Sequence, residues 1–365
     1  MLPALFLLNR NFELNHKINQ HMLVALTYNQ KKEDISDKHP DYDLEFDDPS
    51  TIEAVAQALS VHYDVVKIEG DANAFEQLLK YRPDIVFNIA EGEFGESREA
   101  QIPAMLDMLK IPYTGSNPLT LSLCLNKAYF KKILTYHEIM TPGFEVMHGI
   151  DQKCTIEDFP VIVKPLWEGS SKGIFNNSIA HNSEELEFHV KHVVERYKQP
   201  ALVENFIGGR EFTVAVLGNK QALKILPIVE IDFRSLPEKA NPIYSYEAKW
   251  IWDREEDPLD IFTCPAELDP QLKQSIEDIV LKTYRALECL DWSRIDVRLD
   301  VRGKPHILEV NPLPGILPNP ESNSCFPKAA RTQGINYNEL INLVLEIALK
   351  RYNIAHETTY CRRYL

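Results

Sequence analysis

At 365 residues the chain is too long for one ordinary core, so two or three lobes are expected, with room for an active site between them. Its formal charge of -15 argues against a nucleic-acid partner, because counterion release needs an excess of Lys and Arg; a small or nucleotide ligand fits better. No apolar run approaches the ~20 residues of a membrane span, and residues 1–8 lack the basic start and small-residue cleavage site of a signal peptide, so a cytoplasmic protein with no membrane partner is expected.

Residues 1–20 carry no readable pattern, and the Asp- and Lys-rich stretch 30–50 reads as a mobile loop. A buried strand at 22–26, a helix at 49–61, a strand at 63–68, a helix at 74–81 and a strand at 85–90 give a βαβαβ order. That order builds a parallel sheet whose ligands collect at the carboxyl ends of the strands. There the polar loop Glu91-Gly92-Glu93-Phe94-Gly95-Glu96-Ser97-Arg98-Glu99 opens a helix at 101–109, and Ile111-Pro112-Tyr113-Thr114-Gly115-Ser116 closes the lobe. Neither a Walker A motif nor G-x-G-x-x-G occurs, so neither usual phosphate-loop fold is supported.

From Asn126-Lys127, which opens a helix to 136, the character changes. A short buried strand at 159–165 runs through Lys164, and lysines at helix starts and strand ends suit phosphate oxygens. Next, Glu168-Gly169-Ser170-Ser171-Lys172-Gly173 offers backbone amides and hydroxyls able to wrap a phosphate chain. It also matches G-x-S-x-G, but Ile174-Phe175-Asn176-Asn177-Ser178 follows where a hydrolase nucleophile elbow needs an apolar helix, so a mobile phosphate lid is preferred. After a helix at 183–198, a strand at 201–203 breaks into Glu204-Asn205-Phe206-Ile207 and then Glu211, an acid and a backbone linker suited to an adenine edge with a second acid for ribose hydroxyls. Strands at 212–217 and 223–229 continue a mixed sheet. Residues 231–263 lack periodicity and read as a functional cover, from which Lys249 could reach a terminal phosphate on closing. Helices are expected at 272–287 and 337–352, and the six cysteines form no C-x-x-C pair, which suits reduced thiols.

Residues 293–301 and 304–311 flank Arg302-Gly303 and read as a tight β-hairpin. Pairing Val301 with Lys304 sets Asp296 opposite Glu309 and Arg294 opposite Asn311, with Ile295, Val297, Leu299 and Val301 turned into a core. Two facing carboxylates beside a carboxamide make a magnesium-type site, although a solvated strand face paired with Arg294 and Arg298 would show the same pattern.

Taken together, these pieces resemble the D-alanine-D-alanine ligase family of ATP-grasp carboxylate-amine ligases over about residues 85–350. The resemblance rests on Ile-Pro-Tyr-Thr-Gly-Ser, Asn-Lys, Val-Lys-Pro with Glu-Gly-Ser-Ser-x-Gly, Glu-x6-Glu, Tyr-x-Tyr-Glu-Ala-Lys, Arg-Ile-Asp and Glu-x-Asn-x-x-Pro-Gly, all in family order. It implies an α/β, mixed α+β protein of ATP-grasp architecture: an N-terminal domain at 1–125, a central lid domain at 126–212 and a C-terminal domain at 213–365. It further implies that Lys127, Lys164, Ser170, Ser171 and Lys249 meet ATP phosphates, that Glu204, Asn205, Phe206 and Ile207 meet the adenine, and that Glu211 meets the ribose. Asp296, Glu309 and Asn311 would hold Mg2+, with Mn2+ as an acceptable substitute. Arg294 and the Gly315 amide would hold an oxyanion, with Ser170 assisting, and Ser324 would meet the acceptor carboxylate. The implied activity is ATP-dependent joining of a carboxylate to an amine through an acyl phosphate, and a homodimer is compatible with it. The alternative is a regulatory module that binds nucleotide without turnover, which would have no need of an oxyanion donor.

Four departures touch the amino-acid sites: Thr27 to Glu33 replaces a Gly-rich turn, Glu91-Gly92 stands for His-Gly, Trp250 for Tyr or Phe, and residues 318–322 resemble an insertion. Glu33 is the one local candidate for the ammonium-binding acid, and Glu91 should favour a carboxyl donor bearing a positive group unless Arg98 neutralises it.

Overall fold

The structure, a computed structural model, describes residues 22–32, 42–254, 258–355 and 359–365, so the readings of residues 1–20 and of Glu33 lie outside the described residues. Strands Leu23–Tyr28, Asp64–Glu69 and Ile85–Asn88 form a parallel sheet with the first strand in the middle, as the βαβαβ order requires. Val24, Ala25 and Leu26 are fully buried, as expected for a strand covered on both faces. Past the carboxyl end of this sheet the Asn29 carboxamide accepts from Gly92 N–H at 2.8 Å and donates to Gly70 O at 3.1 Å, holding the 91–99 loop over the strand ends. Gly92 sits at φ +78°, and a Cβ there would lie 2.3 Å from Arg98 O, so a side chain is excluded on two counts.

The central sheet is antiparallel, in the order Phe144–Met147, Ala201–Asn205, Val161–Pro165, Ile179–Ala180. Helix Ser183–Tyr197 covers it with Leu186, Val190 and Val193, and its first turn is capped by Asn182, which accepts from Glu185 N–H at 3.0 Å. The third sheet runs Phe262–Thr263, Val229–Ile231, Glu211–Asn219, Trp292–Leu299, Pro305–Asn311, with Ala222–Ile225 on the side of Glu211–Asn219. The expected single strand at 223–229 is therefore two.

The hairpin corrects one reading and keeps another. The connection is 300–304 rather than two residues, and Leu299 pairs with Pro305. Val301 is 98% exposed and belongs to the turn, not to the core. A bulge between Asp296 and Val297 then shifts the ladder by one, so Asp296 still faces Glu309 and Arg294 still faces Asn311. The alternation of buried Ile295, Val297 and Leu299 survives because the bulge lies on the other strand.

The first and third lobes share one apolar core: the Trp292 ring meets Phe87 and Phe326, each at 5.7 Å between ring centres. Helix Tyr337–Arg351 lies in that core and is buried on nearly every side between helices Pro49–Ser60 and Thr359–Tyr364. Helix Lys127–Tyr136 buries Phe130 and Leu134 against Ile276, Val280 and Tyr284 of helix Pro270–Ala286 and adds Ala128 to the apolar cluster of Leu166 and Leu202 in the central lobe. Helix Pro118–Leu125 went unread because its apolar residues leave no stripe, although Asn117 caps it through Thr120 N–H at 2.9 Å.

Candidate active site

The cleft lies between the central and third sheets, under the loop at the carboxyl ends of the first. Asn126 caps helix Lys127–Tyr136, accepting from Tyr129 N–H, and so fixes Lys127 at its first turn. Lys127 is almost fully buried; its Nζ lies 3.2 Å from Glu309 Oε1 and donates to Glu168 O. Lys164 Nζ pairs with Glu204 Oε2, and Lys131, which the sequence reading missed, lies 2.8 Å from Glu204 Oε1. Burial works to raise the Glu204 carboxyl, but the two lysines overcome it and bring it to about 2. The signal for Lys131 was its place one helical turn after Lys127.

Glu211 stands 2.9 Å from Arg298 Nη1, and the Arg298 guanidinium also donates to Pro242 O and Gly209 O and lies 4.9 Å from the Phe206 ring centre. Asn205 and Phe206 are tied down, Asn205 N–H to Gly143 O and Phe206 N–H to Pro160 O, which shapes the linker before Ile207.

Asp296 accepts two hydrogen bonds from Arg294, at 3.1 and 3.0 Å, and one from Asn311 Nδ2 at 3.3 Å. Burial works to raise Glu309, while Lys127, then Lys164 and Arg294, hold it below the usual carboxylate range. No cluster of three or more His, Cys, Asp or Glu suited to a metal occurs among the described residues. The set present, two facing carboxylates and a carboxamide, is all hard oxygen and fits a divalent cation whose remaining positions are filled by phosphate and water.

Two covers meet over this cleft. Ser170 and Ser171 have φ of 50° and 59°, a left-handed conformation rare for residues with side chains and typical of functional loops. Trp250 Nε1 donates to Ser170 O at 3.0 Å, Ser171 Oγ to Tyr244 O at 2.7 Å, Tyr246 N–H to Ile174 O at 2.7 Å, and Asn176 N–H to Glu247 Oε2 at 2.8 Å. Lys249, carried on the turn Ala248–Trp252, is lowered to about 8 by burial and then by Arg294. Ser324, buried, donates to Gly315 O at 3.3 Å and accepts from Leu317 N–H at 3.2 Å, while Gly315 itself is exposed. Beside it Cys325 faces the charges of Arg294, Asp296 and Lys249 and is pushed up to about 12 by burial.

The side of the cleft under the 91–99 loop is different. Arg98 does not pair with Glu91: its guanidinium goes to Glu45 at 2.6 Å, to Glu168 at 3.4 Å and to Trp167 O at 2.9 Å. Glu45 also accepts from Gly169 N–H at 2.8 Å, so a residue of the stretch read as a mobile loop ties the 168–173 segment to the first lobe. Burial, then the fields of Glu99, Glu45 and Asp47, raise the Glu91 carboxyl well above its usual range. Burial likewise raises Glu99 to about 8 and Asp47 to about 7.

Two antiparallel sheets closing on a lysine-lined cleft, with facing carboxylates on the second sheet, define an ATP-grasp ligase. A family model for the C-terminus of D-Ala D-Ala ligase matches residues 125–346. A D-alanine-D-alanine ligase of Bordetella petrii is 34% identical over 309 residues, covering 82% of this chain and 88% of that protein. That of Carboxydothermus hydrogenoformans is 35% identical over 299 residues, covering 79% and 88%. An uncharacterised protein of Sinorhizobium fredii is 37% identical over 306 residues, covering 82% and 87%. The solved D-alanine-D-alanine ligase of Bacillus anthracis superposes with a TM-score of 0.69 at 25% identity, over 91% of this chain and 99% of that one. The chain belongs to the D-alanine-D-alanine ligase family and is an ATP-dependent carboxylate-amine ligase. No helix among the described residues is long and apolar enough to cross a membrane.

Proposed function

We propose that the protein activates a carboxylate as an acyl phosphate and passes the acyl group to an amine, and that its carboxyl donor carries a positively charged group beyond any α-ammonium. In the first step a donor carboxylate oxygen attacks the terminal phosphorus of ATP, the bond to the β-phosphate oxygen breaks and ADP leaves. In the second the amine attacks the carbonyl carbon, inorganic phosphate leaves with the bonding pair of the C–O bond, and the proton lost from the nitrogen goes to that phosphate. Lys127, Lys164 and Lys249 offset phosphate charge, with the Ser170 and Ser171 segment closing over the chain. Asp296, Glu309 and Asn311 would hold Mg2+ or Mn2+, which supplies Lewis-acid stabilisation of phosphate oxygens when bound. Arg294, with the exposed Gly315 amide, is the donor set for the oxyanion of the tetrahedral intermediate. Ser324 is the candidate for the acceptor carboxylate. The interlocked covers keep water from the acyl phosphate.

The observation that carries the donor reading is the pairing of Arg98 with Glu45 and Glu168: Glu91 has no ion pair with it, and the field of Arg98 is outweighed by burial and by Glu99, Glu45 and Asp47. An ammonium or guanidinium on the donor restores the balance, whereas a second carboxylate is repelled. The test is phosphate release from ATP with magnesium across a matrix of carboxylates and amines. Release that requires both partners and favours cationic donors is expected; efficient D-alanine dimerisation with no gain from a cationic donor overturns the donor reading. ATP binding without release for any pair would favour a regulatory module.

A further inference from the structure

Helix Lys127–Tyr136 carries a second lysine that none of the assignments above uses. Lys131 has no solvent exposure. A lysine so placed persists only with partners, and it has two polar ones, Glu204 Oε1 at 2.8 Å and Thr141 Oγ1 at 2.8 Å, besides the Phe130 ring at 5.3 Å. Thr141 Oγ1 donates in turn to Ile307 O at 2.8 Å, so the ammonium is anchored to the strand that bears Glu309 and Asn311.

The two lysines on Glu204 are not equivalent. The Lys164 side chain keeps 11% of its surface exposed, while that of Lys131 keeps 0%. Lys164 can turn from the carboxylate to an arriving phosphate; Lys131 has nowhere else to go. When Lys164 turns, Glu204 would be left as a buried, uncompensated charge were Lys131 absent. It would then either take up a proton or pull Lys164 back, and in both cases a nucleotide is bound less well. With Lys131 in place Glu204 remains a charged acceptor, the form that takes a hydrogen bond from an exocyclic amino group and rejects a carbonyl oxygen at the same position.

We propose that Lys131 is a positioning residue for nucleotide recognition: it holds Glu204 charged and fixed while Lys164 leaves it for the phosphates, and so couples the reading of the base to the capture of the phosphate chain. The inference rests on the reading of Glu204 and Lys164 as nucleotide-binding groups.

The test measures binding to the full chain, with magnesium, of ATP and of purine riboside triphosphate, which lacks the exocyclic amine. Wild type should prefer ATP. In Lys131→Met, ATP affinity should fall about tenfold or more, and the preference should shrink to within about twofold. Thr141→Val, which removes only the anchoring hydroxyl, should lose about threefold in ATP affinity and part of the preference. KM for the carboxylate and the amine should stay at the wild-type value in both. A folded Lys131→Met with wild-type ATP affinity, or one weakened equally for both triphosphates, overturns the proposal. Should Lys131→Met fail to fold, an unchanged preference in Thr141→Val overturns it. A wild type that binds neither triphosphate overturns the nucleotide reading, and this inference with it.

Discussion

The two sides of the cleft handle charge in opposite ways. On the nucleotide side every candidate carboxylate has a cation against it: Glu204 has Lys131 and Lys164, Glu211 has Arg298, Glu309 has Lys127 and Asp296 has Arg294. On the donor side Arg98 is held by Glu45 and Glu168, and burial has pushed the carboxyl groups of Asp47, Glu91 and Glu99 upward, with Glu91 raised further by the fields of the other two. The first side is prepared for an anion that takes over cations already in place. The second has an excess of acid that a cationic ligand would neutralise.

The contrast can be attacked most forcefully at the facing carboxylates. Asp296→Ala and Glu309→Ala should each lower magnesium-dependent turnover by more than about 100-fold, because each removes an oxygen ligand rather than core volume. Melting temperatures should stay within about 3 °C of wild type. Turnover unchanged at saturating substrate in either variant would remove the metal from the paired side.

Next in size is Arg294→Met, expected to cost about 100-fold in kcat with little change in the KM for ATP, since the guanidinium is assigned to the intermediate and not to the nucleotide. A rise confined to the ATP KM would reassign it.

Glu91→Gln sharpens the other half of the contrast. For a cationic donor kcat/KM should drop about tenfold, with little change for a neutral donor of the same size. The pH dependence has a fixed sign. Asp47 and Glu99, at about 7 and about 8, are largely protonated at pH 6 and ionise as pH rises, so kcat/KM for a cationic donor should climb between pH 6 and 8.5, less steeply in the variant. A folded-state pKa raised above the ordinary carboxylate value means that the folded protein binds these protons more tightly, so their contribution to stability is lost as pH rises through about 4 to 8. Melting measured without and with donor should therefore diverge toward high pH. A flat donor profile would sink the unbalanced pocket.

The smallest effect concerns the covers. Trp250→Phe removes the bond to Ser170 O and should change turnover only a few-fold, while speeding hydrogen exchange at 170–172 and 244–254 without nucleotide. Exchange that is the same with and without ATP and magnesium would deny that these segments close around the reaction.

What the sequence settled alone was whatever spacing and periodicity determine locally. Asp296 faces Glu309 because strand side chains alternate with period two and the register is tied to a buried face; Lys127 opens its helix because Asn126 caps it; and the order of motifs carried the family. Even the misread turn did no harm at the site, because the bulge before Val297 restored the pairing. Tertiary structure alone decided which cation each acid meets. Arg98 lies seven residues from Glu91 yet pairs with Glu45 and Glu168, and Lys131 meets Glu204 across 73 positions of chain. It also decided that the first and third lobes close around Trp292 as one core. Local rules act over a turn or a strand pair, whereas an ion pair between lobes depends on how whole cores pack, and no spacing in the chain encodes that distance.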